Sequence, residues 1–215
     1  DFSGRRKFFL KLFTLIGSLA CISLYFFDEK VDLWLGTSAF ILATIGFSGS
    51  LVFYDSYLPI IVTEDRYNKV SAKGYTYGYI GSVILLVVIL MMIQKPEWFG
   101  IVDGKNGARI GFVLVGVWWL GFAQYTFKYL PKDSFIKFTS SMVKDGYKEI
   151  RIAFKNVQSS PNIKSFLLAF FFYSAGVQTV IYLATIFAKK ELGFETSELI
   201  MLVLLLQLVA IGGAY

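Results

Sequence analysis

Six long apolar segments constrain this chain more than any other feature of its sequence. A helix needs about 20 apolar residues to cross the hydrocarbon core of a bilayer, and each segment has roughly that length. In chain order they are Phe8–Phe27, Leu33–Ile61, Tyr75–Ile93, Ile110–Leu130, Phe166–Ala188 and Leu199–Tyr215. Because the bilayer core holds no water to satisfy free backbone groups, such segments cross it as helices. The sequence therefore predicts an all-α membrane protein with six crossings.

The composition argues against a soluble domain and against an enzyme. Hydrophobic residues make up 56% of the 215 residues and charged residues only 17%, which is more apolar than a soluble domain of this size requires. With no histidine and one cysteine, Cys21, the sequence offers no imidazole metal site, no Ser-His pair and no disulfide framework. Gly100, Gly104 and Gly107 lie in a predicted outer loop and match no phosphate-binding pattern. We expect no enzymatic activity, no cofactor and no bound metal.

The distribution of Lys and Arg predicts how the helices are oriented. With the N-terminal residues placed in the cytoplasm, 15 of the 21 Lys and Arg residues lie inside, as the positive-inside rule requires. These inside cations are Arg5, Arg6, Lys7, Lys11, Arg66, Lys69, Lys73, Lys128, Lys132, Lys137, Lys144, Lys148, Arg151, Lys155 and Lys164. The net charge of +6 is thus a signal of membrane topology, and the expected partner is a lipid bilayer and not a nucleic acid.

The longest polar stretch, residues 131–165, combines basic and apolar positions at helical spacing. Its apolar residues recur mostly every three or four positions, and its cations recur at intervals of seven, four, three and four. The cations in question are Lys137, Lys144, Lys148, Arg151 and Lys155. This pattern predicts an amphipathic helix that either lies on the cytoplasmic membrane surface or packs against the cytoplasmic ends of the spans.

Four spans before this stretch and two after it divide the chain unevenly. The division is explained if two helices precede Asp1 and four follow Tyr215 in a protein built of two six-helix bundles. We therefore expect residues 1–130 to belong to an N-terminal bundle, residues 131–165 to be a basic cytoplasmic connector, and residues 166–215 to begin a C-terminal bundle.

The start of the chain resembles a known transporter signature. The string is Asp1-Phe2-Ser3-Gly4-Arg5-Arg6-Lys7. It is similar to the second half of the loop between helices two and three of major facilitator transporters, roughly G-x-x-x-D-R-x-G-R-R. Asp1, Gly4, Arg5 and Arg6 fall on the matching positions, whereas Phe2 replaces a usual Arg or Lys. The resemblance implies that the four matching residues form a cytoplasmic charge latch; a generic basic helix end is the alternative.

Three longer strings resemble the vacuole-effluxer-like branch of the same superfamily, known from autophagy-related vacuolar amino-acid exporters. They are residues 52–59 (VFYDSYLP), 71–81 (SAKGYTYGYIG) and 171–180 (FFYSAGVQTV). The corresponding branch patterns are approximately F-Y-N-A-F-L-P, S-x-x-G-Y-x-x-G-Y-x-G and F-Y-x-D-G-V-Q-T. Asp55 stands where Asn is usual, and Ala175 stands where an Asp is common. The second departure argues against an acidic coupling role on that helix.

The resemblance implies a partial major facilitator fold, with six of about twelve transmembrane helices. It also implies a secondary active transporter that moves small solutes by alternating access, with amino-acid efflux as the leading function and a proton as the default coupling ion. The alternative is a non-transporting membrane receptor or assembly scaffold on the same fold. The expected location is a multi-pass position in the cytoplasmic (inner) membrane of a bacterium.

Asp55 is the one acidic residue within a predicted span. It lies about 20 residues into its helix, or about 30 Å along it, and hence near the cytoplasmic edge. Acids within the membrane are expensive and are often functional. A contribution to the cytoplasmic latch, a proton-coupling role and plain interfacial anchoring are all compatible with this position.

Polar residues line one face of the fifth span at spacings of four, four and three. Because polar groups in lipid cost free energy unless they are paired, this face should meet the bundle interior or a wet cavity. The substrate-cavity candidates, two flanking residues included, are Tyr173, Ser174, Gln178, Thr179, Tyr182 and Thr185. Interhelical hydrogen bonding is the alternative, and Gln207 in the last span is weaker evidence of the same kind.

Small residues recur along one face of the third span, at Gly74, Gly78 and Gly81. Such faces let helix backbones approach closely in lipid, where no hydrophobic force drives helices together. We therefore predict close helix packing at these three glycines. Gly46 and Gly49 in the preceding span carry a weaker signal of the same kind.

Overall fold

The computed structural model describes residues 5–27, 33–133 and 140–213, and the regular secondary structure in those ranges is entirely helical. The side chains of residues 140–143, 145, 181 and 182 are outside this description. The helices are α1 (Arg6–Ser23), α2 (Leu33–Asp55), α3 (Leu58–Ile61), α4 (Tyr67–Gln94), α5 (Gly104–Tyr129), α6 (Ser140–Ser159), α7 (Pro161–Lys190) and α8 (Thr196–Gly213). Short 3₁₀ turns occupy Leu24–Phe26, Glu64–Arg66 and Pro96–Phe99.

Within those ranges, six helical segments are long and apolar enough to cross a membrane. They are Arg6–Phe26, Leu33–Ile61, Glu64–Gln94, Gly104–Tyr129, Pro161–Lys190 and Thr196–Gly213. The predicted all-α architecture with six spans is thus confirmed.

The second span contains a break that the apolar pattern does not reveal. The helix α2 stops at Asp55, and the single helical turn α3 begins at Leu58. Pro59 explains the break, because proline has no N–H to donate and its ring clashes with the carbonyl group four positions earlier, which belongs to Asp55. Asp55 is therefore a helix-terminal residue.

The outer end of α5 corrects one expectation from the sequence. Gly104 and Gly107 were expected in a loop, but α5 begins at Gly104 and includes both. The helix starts early because the Asp103 carboxylate accepts a hydrogen bond from the Asn106 N–H at 2.7 Å, which satisfies one of the free donors of the first turn. A capping residue thus extends the helix six residues beyond the apolar segment that begins at Ile110.

Two compact units divide the chain. One comprises α1 to α5 together with α8 from Ile200 onward, and the other comprises α6, α7 and the first residues of α8. In the first unit α1 packs against both α2 and α5, and α4 packs against α5. In the second unit α6 contacts α7.

Glycines allow α1 to approach α2 and α5 closely. A Cβ atom at Gly46 of α2 would overlap the backbone of Gly17 in α1, and one at Gly49 would overlap the Phe13 ring. On the other side, a Cβ at Gly116 of α5 would lie 2.6 Å from the Ser18 carbonyl oxygen. Close packing at Gly46 and Gly49, the weaker of the two glycine predictions, is confirmed.

We predict that Gly46→Ala destabilises the folded protein. The added methyl group would have to displace the Gly17 backbone, and overpacking of this kind typically costs about 1–3 kcal/mol. The measurement is the thermal midpoint of the purified full-length protein in detergent. Gly121→Ala is the matched control, because a Cβ at Gly121 meets nothing within 4 Å in the described part of the chain. Equal midpoints for the two variants would contradict the packing argument.

Candidate functional site

A groove between α4 and α8 is the candidate site in the larger unit. Its volume is about 550 Å³. The lining residues are Asn68, Ser71, Ala72, Tyr75, Tyr79, Ala210 and Gly213. Those from α4 recur every three or four positions, which places them on one face of that helix. The groove therefore combines an amide, a serine hydroxyl and two tyrosine hydroxyls with apolar ring surface.

A hydrogen bond links the same two helices deeper in the membrane. The Ser82 hydroxyl of α4 lies against the Gln207 side-chain oxygen of α8, and it also contacts the Tyr79 carbonyl oxygen at 2.9 Å. A hydroxyl has one proton and can donate to only one of them, so both contacts are satisfied when the Gln207 amide turns its NH₂ toward Ser82. Since Tyr79 also lines the groove, the bond lies beside the groove's inner end.

In the orientation predicted from the cations, the groove lies on the cytoplasmic side. That orientation predicts that α4, which begins at Tyr67, starts on the cytoplasmic side and that α8, which ends at Gly213, returns to it. Ser82 is 15 residues into α4, about 22 Å along the helix, and Gln207 is 11 residues into α8. The same orientation predicts that the bonded pair lies near the middle of the membrane, where a polar side chain without a partner would be unfavourable.

Asp133 caps the N-terminal end of α1. Its two carboxylate oxygens accept hydrogen bonds from the backbone N–H groups of Lys7 at 2.8 Å and Phe8 at 3.0 Å. The Lys7 ammonium group donates to the Leu130 carbonyl oxygen at 2.9 Å. A carboxylate at a helix N-terminus satisfies free donors and interacts favourably with the helix dipole. The chain that follows α5 is thereby fastened to the start of α1.

A buried cluster lies directly beneath this cap. Leu10, Tyr57 and Phe127, from α1, the turn after α2, and α5, are each less than a tenth exposed. The Lys11 ammonium group lies over the Phe127 ring, 5.5 Å from its centre. These contacts join α1, α5 and the turn after α2 at one end of the unit.

Two of the latch candidates, Arg6 and Asp55, lie at this end of the larger unit. Asp1 and Gly4 fall outside the described residues, Arg5 immediately precedes α1, and Arg6 is its first residue. Asp55 is exposed at the C-terminal end of α2. A charge latch formed by these five residues stays a prediction, and the capping contact of Asp133 is a different one.

The polar face of the fifth span lies on α7 in the other unit. Tyr173, Gln178 and Thr179 are exposed, whereas Ser174 and Thr185 are half-buried. The Thr179 hydroxyl donates to the Ala175 carbonyl oxygen of its own helix at 2.7 Å. The side chain of the sixth candidate, Tyr182, is outside the described part of the chain. A substrate-lining role for this face stays a prediction.

The three glycines of α4 differ in their surroundings. A Cβ at Gly74 would lie 3.3 Å from the Tyr54 hydroxyl oxygen of α2, which is a close approach. At Gly78 and Gly81 an added Cβ would meet nothing within 4 Å among the residues that the structure describes. Close packing at these two positions stays a prediction.

Sequence reasoning missed the groove and the cap for different reasons. Asn68 and Ser71 precede the apolar segment that begins at Tyr75, so the sequence predicts that they lie outside the span. Asp133 and the donors it caps are more than 120 residues apart, and no local pattern signals such a contact. Ser82 and Gln207 are each a small or polar residue within an apolar span, but their pairing is a tertiary feature that no local pattern signals.

Comparisons with known proteins place these features in context. The family described as vacuole effluxer Atg22-like matches residues 1–215. The chain is 31% identical over 212 residues to the uncharacterized MFS-type transporter YxiO of Bacillus subtilis (strain 168), covering 98% of this chain and 49% of that protein. Comparison with solved structures gives no significant match.

Fungal proteins are similar over a shorter range. Autophagy-related protein 22 of Eremothecium gossypii is 24% identical over 169 residues, covering 74% of this chain and 32% of that protein. Autophagy-related protein 22 of Cryptococcus neoformans is 29% identical over 150 residues, covering 67% of this chain and 26% of that protein. The chain thus spans about half or less of the length of the relatives it matches.

We predict that Asp133→Ala lowers the thermal stability of the full-length protein. The variant leaves two N–H groups at the start of α1 without their carboxylate partner, and the loss of a helix cap costs about 0.5–2 kcal/mol. Asp133→Asn should be intermediate, since it keeps one oxygen acceptor but loses the charge. Lys132→Ala, an exposed neighbour, is the control. The thermal midpoint in detergent is the measurement, and a wild-type midpoint for Asp133→Ala would show that the cap is dispensable.

Proposed function

Because the chain belongs to the Atg22-like vacuole effluxer family of major facilitator transporters, we propose that the full protein is a secondary active transporter of small solutes that works by alternating access. The observation that carries the proposal is the family match over the whole chain, together with six membrane-spanning helices. Proteins of this superfamily are in general carriers and not enzymes. The chain is multi-pass, and the bacterial cytoplasmic membrane is its proposed location.

In this proposal the groove is the cytoplasmic path of the solute. Ligand sites are usually concave and largely apolar, with a few polar groups that fix orientation. Asn68 and Ser71 offer donors and acceptors beside the rings of Tyr75 and Tyr79. Such a lining suits a small molecule with both polar and apolar parts, and amino acids are the solute class we propose.

The bond between Ser82 and Gln207 has a place in the same mechanism. If residues 1–130 and 166–215 belong to two bundles, α4 and α8 face each other across the seam between those bundles. Rocking of the bundles then has to stretch or remake the bond that joins them. Because an interhelical hydrogen bond in a membrane contributes only about 0.6 kcal/mol on average, it can bias the balance between two states without locking either one.

The transport proposal predicts saturable amino-acid efflux from proteoliposomes that contain the full-length protein. Vesicles loaded with a mixture of labelled amino acids should release some of them faster than protein-free vesicles do. A protonophore should change the rate if a proton is the coupling ion. No flux of any amino acid or other small solute would contradict the proposal and would favour a receptor or assembly scaffold on the same fold.

The seam proposal predicts a non-additive pair of variants. Ser82→Ala and Gln207→Leu each remove the bond, so each should change the initial efflux rate about threefold, which corresponds to about 0.6 kcal/mol. The double variant should be no further from wild type than either single variant, because the bond can be lost only once. Effects that simply add would show that the two residues act independently.

A further inference from the structure

The helix α6 carries its cations in one narrow stripe. Lys144, Lys148, Arg151 and Lys155 are separated by four, three and four residues. At 100° per residue this spacing confines all four to an arc of about 60° on the helix surface. All four are exposed.

A second stripe on α6 is apolar and equally exposed. Tyr147, Ile150 and Phe154 are separated by three and four residues, so they also share a narrow arc. Their exposed fractions are 72%, 68% and 63%. The centre of this arc lies about 100° around the helix from the cationic one. Three large apolar side chains are therefore exposed beside a row of positive charges.

The chain holds this helix close to the membrane. α6 ends at Ser159 and the membrane-spanning α7 begins at Pro161, so only Ser160 separates them. Ser160 has extended backbone angles, φ −111° and ψ 99°, which interrupts the helix between the two elements. α6 is not among the helices apolar enough to span the bilayer. Its end is nevertheless fixed within one residue of a helix that is.

We propose that α6 binds the surface of an anionic phospholipid bilayer. Tyr147, Ile150 and Phe154 enter the boundary between headgroups and acyl chains, and the cationic stripe contacts lipid phosphates. An apolar face flanked by Lys and Arg is the pattern of interfacial helices, and a negative surface attracts such segments. Two features favour the bilayer over the ends of the protein's own helices as the surface that α6 binds. The cationic stripe complements anionic lipid phosphates, and the one-residue connection to α7 keeps α6 beside the membrane.

The acidic residue Glu149 is an internal control for the proposed orientation of α6. It is exposed, and it lies about 100° or more around the helix from each of the three apolar residues. If the apolar stripe faces the bilayer, Glu149 faces water. Neighbouring positions on the same helix should therefore report opposite environments.

The experiment uses the full-length protein with Cys21 and all its other native cysteines replaced by Ser, reconstituted into lipid nanodiscs. An environment-sensitive fluorophore is attached to Ile150→Cys or, as the control, to Glu149→Cys. In discs of phosphatidylcholine mixed with phosphatidylglycerol, the Ile150 label should emit at shorter wavelength than in discs of phosphatidylcholine alone. High salt should reverse the shift, and the Glu149 label should not move.

Two outcomes would overturn the proposal. Identical emission of the Ile150 label in both lipid compositions would mean that the stripe lies in water or packs against protein. A shift that survives replacement of all four cations by Gln would mean that charge does not drive binding. Because the readout involves no solute flux, its failure and a failure of the transport proposal are distinguishable.

Discussion

The hydrocarbon core of a membrane gives apolar helices no hydrophobic reason to associate, so they must be held together by shape and by a few polar contacts. In this chain the shape is supplied where α1 passes between α2 and α5. The absence of a side chain at Gly17, Gly46 and Gly116 lets the backbones come close enough for contacts along their length. The cap by Asp133 then fixes the cytoplasmic end of α1, where Leu10, together with Tyr57 and Phe127, is buried.

The close packing of α1, α2 and α5 contrasts with the surface between α4 and α8. A groove of about 550 Å³ lies between those two helices, lined by Asn68 and Tyr75 of α4 and by Gly213 of α8. The Ser82 hydroxyl and the Gln207 side chain form a polar contact between the same helices. A tightly packed part beside a loosely joined one suits the rocking mechanism that we propose.

The sequence predicts the spans well because the apolar length signal is local. It predicts their ends poorly, because ends depend on residues outside the apolar run. α4 begins at Tyr67, eight residues before the apolar segment. Its first two turns carry Lys69 and Lys73, so they do not count toward the apolar run. Pro59 and Asp103 are local signals in the sequence: the proline marks the end of α2, and the aspartate caps the start of α5.

The site is less predictable for a physical reason. Close packing is predicted mainly at Gly74, Gly78 and Gly81, and of these Gly74 closely approaches the Tyr54 hydroxyl group. The weaker candidates Gly46 and Gly49 pack more tightly, because a small residue permits an approach without specifying the partner. The pairing of Ser82 with Gln207 likewise depends on which helices become neighbours. Residue spacing identifies a helix face, but the element that covers the face is decided by the tertiary fold.

Cysteine labelling tests the groove as a solute path most directly. In the full-length protein with Cys21 and all its other native cysteines replaced by Ser, a membrane-impermeant thiol reagent on the cytoplasmic side should react with Ser71→Cys. A transported amino acid at saturation should change that rate several-fold. Ile84→Cys, on the opposite face of α4, should remain unreactive in lipid. A rate at Ser71→Cys that is the same with and without solute, or no reaction at all, would contradict the account.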